Sequence, residues 1–300
     1  MSKGAISLIF ILLCSIKLSA QSYIDLISSD YAITPAISFD SSSQETKLHE
    51  INAEFTAPIV LTEKTTVLAG LIYENIKADF DPSRGEESLS GFTLKLGLNH
   101  QHSDKWSGTY LILPKISSDL NKLGPKDYQL GAVILMKYVK NEAMNYRLGF
   151  YSNTERFGPF VVPLFGLYHL NPSKKIETKL LLPLSADVNY SFQKRMRIGL
   201  NFKGQVRSFN MSSNLGNYES LYLEKSAKDL YSYVQYAMGN GINLQLCIGR
   251  SIGRTYEVYD EGVKFGIPLV YFGDNRSIRN FVFQDSWLFK ARLFYRLHLN

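Results

Sequence analysis

The sequence is poor in cysteine, in long apolar runs and in helical periodicity, and each shortage argues against a class of protein. Its two cysteines are Cys14 and Cys247, and only Cys247 remains if the segment that holds Cys14 is removed. Neither an intramolecular disulfide nor a thiolate metal cluster can then form within one chain. Residues 218–230, YESLYLEKSAKDL, are the best helix candidate, and we assign them to a long loop. An α/β enzyme would place helices between its strands, so the sequence disfavours that class.

The first twenty residues have the pattern of a secretory signal peptide. Lys3 supplies a positive start, residues 5–13 form a short apolar run, and Ala20 is a small residue at the cleavage position. About nine apolar residues are too few for a membrane anchor, which needs ~20. A lipoprotein is disfavoured because the residue before Cys14 is bulky. We predict cleavage after Ala20 and a single exported domain at residues 21–300.

The net charge gives no sign of a nucleic-acid partner. The formal charge is +6, and loss of Lys3 and Lys17 with the signal peptide lowers it to +4. These charges are spread along the chain, and export also argues against nucleic acid. The chain has 19 tyrosines and 18 phenylalanines. An aromatic-rich exported chain of near-zero hydropathy fits a soluble β-domain or an outer-membrane β-barrel.

Apolar and polar residues alternate with a period of two in most of the chain, which predicts β-strands. Residues 92–99 and 242–249 show the pattern clearly. Fourteen strands are predicted, near residues 31–39, 48–61, 66–76, 89–102, 106–115, 128–139, 145–152, 159–170, 176–183, 186–193, 196–208, 228–239, 241–254 and 286–300.

Short polar turns and longer loops alternate between these strands. The shortest turn is Gly-Asn-Gly at 239–241, a tight hairpin sequence because both residue types tolerate positive φ. The longest loops are 208–227 and 255–285. Transmembrane barrels have this arrangement, with short periplasmic turns and long extracellular loops. We therefore predict an all-β fold, an antiparallel up-and-down transmembrane β-barrel of fourteen strands, or of twelve if the first strand or the turn at 182–185 fails.

Two features favour a membrane barrel over a soluble β-sandwich, which would also alternate. The face opposite the apolar one carries Asn, Gln, Lys, Arg, Glu or Gly on nearly every strand, as a watery lumen requires. Aromatic residues also lie near strand ends, where interfacial girdles form. They are Trp106, Tyr110, Tyr138, Tyr146, Phe192, Tyr236, Trp287 and Tyr295.

Residues 286–300, SWLFKARLFYRLHLN, predict the strand that closes the barrel. A strand edge in lipid would leave backbone groups unpaired, so this strand must pair with the first. It is also similar to the C-terminal signal that barrel-assembly machinery recognises, although Leu299-Asn300 replaces the usual final aromatic. Its lipid-facing residues are Trp287, Phe289, Leu293, Tyr295, Leu297 and Leu299.

Basic residues are frequent at the predicted lumen-facing positions of the strands. They are Lys95, Arg147, Lys179, Arg197, Lys203, Arg207, Lys290, Arg292 and Arg296. The predicted inward acids are Glu54, Glu74, Glu177 and Asp187. These charges could pair and fill a narrow barrel, or the basic excess could select anions, since a ring of positive charge sets pore selectivity.

The sequence leaves two main functions open. One is a narrow pore or uptake channel for small hydrophilic solutes, anions among them. The other is a structural or interaction barrel with a plugged lumen, in which loops 208–227 and 255–285 bind a partner. The apolar run at 263–272 could fold inward as a constriction or form a hairpin above the membrane.

A barrel enzyme acting on lipids or peptides is a weaker alternative. No Gly-x-Ser-x-Gly elbow is present, and we predict no catalytic residues, no cofactor and no metal. His100 and His102 share a strand face at a spacing that a metal site could use, but polar residues leaving the bilayer explain them as well.

The stretch LLPLSADVNYSF at 181–192 and the cleavage context SAQ at 19–21 resemble the uncharacterised outer-membrane β-barrel proteins of Bacteroidetes. The resemblance implies a location in the bacterial outer membrane and transfers no catalytic residue. The expected partners are the lipid bilayer, the barrel-assembly machinery during biogenesis and small solutes.

Overall fold

The computed structural model describes residues 23–40, 43–80, 85–212, 220–260, 262–267 and 270–298. The predicted signal peptide lies outside the described residues. A 3₁₀ turn spans Pro125–Asp127, and no helix in these ranges is long and apolar enough to cross a membrane. The strands are β1 Tyr23–Ser38, β2 Glu45–Thr62, β3 Thr65–Asp79, β4 Glu86–Gln101, β5 Trp106–Ser118, β6 Tyr128–Asn141, β7 Met144–Glu155, β8 Gly158–Leu170, β9 Ile176–Leu182, β10 Ser185–Gln193, β11 Met196–Met211, β12 Leu221–Gly239, β13 Ile242–Ser251, β14 Thr255–Tyr259, β15 Phe265–Ile267, β16 Val270–Phe272 and β17 Trp287–His298.

Fourteen strands, β1 to β13 and β17, form a closed antiparallel barrel. Each strand from β1 to β12 pairs with the next along the chain, and β17 pairs with β13 on one side and β1 on the other. In the closing seam Tyr23 lies opposite His298, and Arg292 lies opposite Gln245. The prediction of fourteen strands is confirmed, and so is the closing role of the last strand.

Short turns lie at one end of the barrel, together with the start of β1 and the end of β17. The turn between β12 and β13 shows why its sequence suits this place. Gly239, Asn240 and Gly241 all have positive φ, and a Cβ on Gly241 would come within 2.6 Å of the Arg296 carbonyl oxygen. Only glycine fits there without displacing the neighbouring β17.

The outer surface of the barrel is apolar. Leu148, Phe150 and Leu246 are each 58% exposed, and further large hydrophobic residues are exposed on most wall strands. Water-soluble monomers rarely expose so extensive an apolar surface. At the short-turn end, Trp106 and Tyr138 lie on neighbouring strands with ring centroids 5.1 Å apart. Exposed aliphatic residues bordered by aromatic ones are the surface of a barrel that lies in lipid, which agrees with the predicted transmembrane fold.

One long loop of the prediction is wrong in part. Residues 208–211 and 221–227 continue β11 and β12, while 213–219 lie outside the described residues. The first five residues of β12, 221–225, are all buried. Because neither of their faces meets lipid, this segment lacks the alternation that identified the other strands.

Candidate functional site in the lumen

The outer ends of β11 and β12 leave the barrel wall and enter the lumen. β10 pairs with β11 only as far as Lys203, and β13 pairs with β12 only from Asp229 onward. Beyond these points β12 takes β14 as its neighbour, and Asn210 of β11 bridges Ser118 of β5. We call residues 205–211, 221–228 and 255–259 the plug.

One face of the plug packs on the wall formed by β1 to β4. Phe209, Leu221 and Leu223 have no exposed surface, and they belong to a single buried apolar cluster with residues of that wall. The members of the cluster are Ile37, Phe39, Leu48, Ile76, Ala78, Phe80, Leu89, Phe209, Met211, Leu221, Leu223, Tyr256, Val258 and Phe283.

The other face of the plug packs on the wall formed by β7 and β8. Tyr222 and Tyr259 stack with ring centroids 5.7 Å apart, and they share a second buried cluster with Phe157, Phe160, Val162 and Leu164. Apolar side chains therefore fill the space on both sides of the plug, and the outer half of the barrel is closed by the chain itself.

A buried group of four charges joins the plug to the wall. Lys225 of the plug contacts Glu50 of β2. Arg254 donates to Asp229 at 2.9 Å and lies 3.7 Å from Glu50. The four side chains are only 2–8% exposed. The two positive and two negative charges balance, so removal of one member would leave an uncompensated buried charge.

A second charged group lies on the loop side of the plug. Glu224 accepts hydrogen bonds from Lys264 at 2.7 Å and from Arg276 at 2.5 Å. Arg276 also donates to Asp274, and these hydrogen bonds lower the pKa of the Asp274 carboxyl. Burial lowers the pKa of Lys264, while the adjacent Glu224 acts in the opposite direction. The loop between β14 and β17 is thus tied to the plug.

Hydrogen bonds from β11 reach three further parts of the wall. Ser208 donates from both its backbone nitrogen and its hydroxyl to Glu155 of β7, at 2.8 and 2.6 Å. Its carbonyl oxygen accepts from Ser117 of β5 at 2.7 Å. Gln205 donates to Glu74 of β3 at 2.7 Å, and Arg207 lies 3.4 Å from the same carboxylate. The plug is therefore held in place from several sides.

A polar cavity of about 320 Å³ lies in the inner half of the lumen, near the short turns. Four cationic side chains and three carboxylates share it with amides, two tyrosines and one phenylalanine. Its lining residues are Tyr23, Ile24, Asp25, Glu177, Lys179, Asp187, Asn189, Arg197, Asn201, Tyr233, Gln235, Gln245, Arg292, Phe294 and Arg296.

The carboxylates of this cavity are held by several donors. Tyr23 donates to Glu177 at 2.8 Å, and Lys179 and Arg197 approach the same carboxylate at 3.3 and 3.5 Å. Arg296 binds Asp25 with two nitrogens, at 2.7 and 3.1 Å.

Asp187 is bound differently, by neutral donors. It accepts from Asn189 at 2.9 Å, from Tyr233 at 3.1 Å and from Asn201 at 3.2 Å. Three neutral side chains therefore donate to this carboxylate.

The structure brings together only some of the basic residues that the sequence singled out. Arg197, Arg292 and Arg296 line the cavity with Lys179, whereas Arg207 belongs to the plug. Lys95 pairs with Glu54 at 2.5 Å on another part of the wall. Arg147 contacts Asn145, Lys203 lies opposite Asp229, and Lys290 lies over the Tyr231 ring at 3.7 Å.

Sequence reasoning missed Glu50, Lys225 and Arg254. Lys225 lies in the predicted loop 208–227 and Arg254 at the predicted end of a strand, and at neither place does the alternation indicate an inward direction. Extending the alternation of β12 backward from Tyr231 would have placed Lys225 on the same face as Tyr231 and Tyr233. The period-two alternation of β12 is interrupted before Lys225, because the consecutive residues Leu223 and Glu224 are both buried.

His100 and His102 form no metal site with a third ligand. Their rings lie 4.9 Å apart, and they hydrogen-bond to Thr65 and Tyr110 at the short-turn end. Within the described ranges, no group of three or more His, Cys, Asp or Glu is placed to hold a metal ion. The prediction of no catalytic residues and no cofactor stays a prediction.

Fold and site together define a transmembrane β-barrel whose outer lumen is filled by part of its own chain. The chain belongs to the family described as Domain of unknown function (DUF6268), whose sequence profile matches residues 28–296. No curated protein matches the sequence. The resemblance to Bacteroidetes proteins stays a prediction.

Several solved structures are similar in fold. An outer membrane channel from Pseudomonas putida F1 is 9% identical, with 94% of this chain and 98% of that chain covered and a TM-score of 0.46. The toluene transporter TodX of Pseudomonas putida is 9% identical, with 97% and 93% covered and a TM-score of 0.39. The NanC porin is 8% identical, with 90% and 100% covered and a TM-score of 0.36.

Proposed function

We propose that this protein is a channel of the bacterial outer membrane that the plug holds closed in the conformation described. It is exported by a signal peptide cleaved after Ala20, and it is inserted by the barrel-assembly machinery. The observation that carries the proposal is the contrast between the two halves of the lumen. Apolar clusters fill the outer half around the plug, whereas a polar cavity occupies the inner half.

The inner half has the character of a solute path. Glu54 lies on the lumen side of β2, and its side chain is 50% exposed although it pairs with Lys95. Arg197 and Lys179 are 30 and 29% exposed. Water therefore reaches ionised groups on several strands of the inner wall. Hydrated charges of this kind suit the passage of a hydrophilic solute, because they remain stable where water fills the lumen.

Passage through the outer half requires displacement of the plug. The plug segments of β11 and β12 are paired along their length, from the Gln205–Ala227 pair to the Met211–Leu221 pair. They can therefore move as a unit. The buried ion pairs at Glu50 and Glu224 oppose this movement, so the channel opens rarely unless a ligand or partner stabilises the displaced plug.

A second candidate is an interaction barrel, favoured by the apolar surface of the loop between β14 and β17. Residues 265–267 and 270–272 form the small hairpin β15–β16. A hairpin is one of the two structures expected for the run at 263–272, and its position above the membrane stays a prediction. Val263, Phe265 and Phe272 are 62, 42 and 55% exposed. A partner that covers these residues would use the barrel as an anchor.

Removal of the β11–β12 part of the plug tests the two candidates against each other. Gly204 and Lys228 are cross-strand partners, so an Asn-Gly turn can join them and delete residues 205–227 while β11 and β12 remain in the wall. We expect discrete conductance steps in planar bilayers from this variant and none of comparable size from the intact protein.

Leu200→Ala serves as the control, because this lipid-facing residue of β11 is 56% exposed, and its conductance should equal that of the intact protein. A large steady conductance of the intact protein would contradict the closed state. A folded deletion variant that does not conduct would favour the interaction barrel.

A further inference from the structure

We propose that the polar cavity near the short turns is a binding site for a small solute that carries a carboxylate, and that Arg197 and Lys179 hold this group. The inference deepens the proposed function and rests on it, because it names the class of solute that the inner half of the channel receives. Binding itself does not depend on movement of the plug.

The cavity presents positive charges to a ligand more than negative ones. Arg197 and Lys179 both lie near Glu177, and Lys179 also donates to the Tyr23 hydroxyl. Their side chains are 30 and 29% exposed, while that of Glu177 is only 6% exposed. Two cations thus share one carboxylate that lies behind them. The accessible surface at this point is positive, and it attracts an anion.

The ion pair between Arg197 and Glu177 is long and uses only one nitrogen. Arg197 approaches Glu177 through one terminal nitrogen at 3.5 Å, which is longer than a strong charge-assisted hydrogen bond of about 2.7–2.9 Å. Arg296, in contrast, is saturated by its two short hydrogen bonds to Asp25. Arg197 therefore keeps nitrogens for an incoming carboxylate, and the planar fork of arginine suits that group. Arg292, which also lines the cavity, is paired through one nitrogen with Asp30 at 3.2 Å.

The remaining lining suits a polar solute that also bears hydroxyl groups. Asn201, Gln235 and Gln245 supply amides, and the volume of about 320 Å³ matches the lower end of small-molecule sites, ~300 Å³. The carboxylates do not repel such a ligand strongly, because Glu177 is covered and Asp187 is bound by three neutral donors. A six-carbon sugar acid has this combination of groups.

Binding of gluconate to the purified barrel in detergent, measured by isothermal titration calorimetry, tests the inference. Glucose and glucosamine serve as neutral and cationic probes of similar size. We expect gluconate to bind at least about tenfold more tightly than either one, and Arg197→Gln and Lys179→Gln each to weaken it by about tenfold, the loss of one charge-assisted contact.

Lys95→Gln is the matched control, because Lys95 is a lumen-facing cation outside this cavity, and its affinity should stay unchanged. Intact folding of each variant is checked by its heat-dependent shift in gel mobility. Equal binding of glucose and gluconate would overturn the proposal, as would normal gluconate binding by both cavity variants. Conductance of the plug deletion is measured separately, so a failed channel and a failed binding site give different results.

Discussion

The buried charges around Glu50 predict how much stability the protein loses when one of the charges that hold the plug to the wall is removed. Glu50→Gln removes one of two negative charges and leaves Lys225 and Arg254 with Asp229 alone. The variant keeps the side-chain length and the Oε1 oxygen that accepts from the Tyr256 hydroxyl at 3.2 Å. Because the charged side chains are only 2–8% exposed, solvent does not screen the imbalance. We expect a loss of about 3–5 kcal/mol in the free energy of unfolding, the cost of leaving one partner of a buried pair alone.

The double variant Glu50→Gln with Lys225→Met separates charge imbalance from loss of contact. It leaves one negative charge, Asp229, and one positive charge, Arg254, so the buried group is again neutral. It also places an apolar side chain of similar length in the plug. It should recover at least about 2 kcal/mol relative to Glu50→Gln, since replacing a whole buried pair is often nearly neutral.

Urea unfolding in phospholipid vesicles measures these changes, followed by the fluorescence of the chain's two tryptophans, Trp106 and Trp287. Glu54→Gln on the same strand is the control. Its carboxylate is 50% exposed beside Lys95, so it should cost less than about 1 kcal/mol. The reasoning is refuted if Glu50→Gln costs no more than Glu54→Gln, or if the double variant is no more stable than Glu50→Gln.

Two further predictions concern the plug core and the closing strand. Phe209→Ala, which truncates a side chain without exposed surface, should destabilise the protein by about 3–5 kcal/mol in the same urea assay. Phe150→Ala, on the lipid face, should cost clearly less, and equal costs would contradict the packing of the plug. Deletion of residues 295–300 removes the pairs Tyr295–Ile242 and Tyr295–Ile27 and the bond between Arg296 and Asp25. It should abolish assembly into the outer membrane, seen as loss of protease protection and of the heat-dependent gel shift, and normal insertion would refute the register of the closing strand.

The wall of the barrel was predictable from the sequence because lipid acts on every wall strand in the same way. A residue such as Phe289 must be apolar on the outside, while its neighbour Lys290 may be polar on the inside. This rule repeats along each strand, so a period-two count found the strands and the closing segment. The predicted strand ends were less accurate. β1 begins at Tyr23, and not near residue 31 as predicted. The apolar pattern is weak there because Asp25, Ser28 and Asp30 face the lumen.

The plug was not predictable in the same way. Its residues meet other parts of the protein on both faces, so Leu223 and Glu224 can both be buried and no alternation results. Its charges are also paired over long separations, as with Lys225 and Glu50, which are 175 positions apart. Pattern reasoning within one segment contains no information about such pairs.

The sequence by itself determined an all-β transmembrane barrel, favoured fourteen strands over twelve and identified the closing strand, because water and lipid impose their demands residue by residue. It also indicated that basic residues face the lumen. Only the tertiary structure decided that part of the chain closes the outer lumen, and that Arg197, Arg292 and Arg296 meet in one cavity while Lys95 and Arg147 lie elsewhere. Those facts depend on where each strand lies around the barrel and how far it reaches inward, and no local pattern records either.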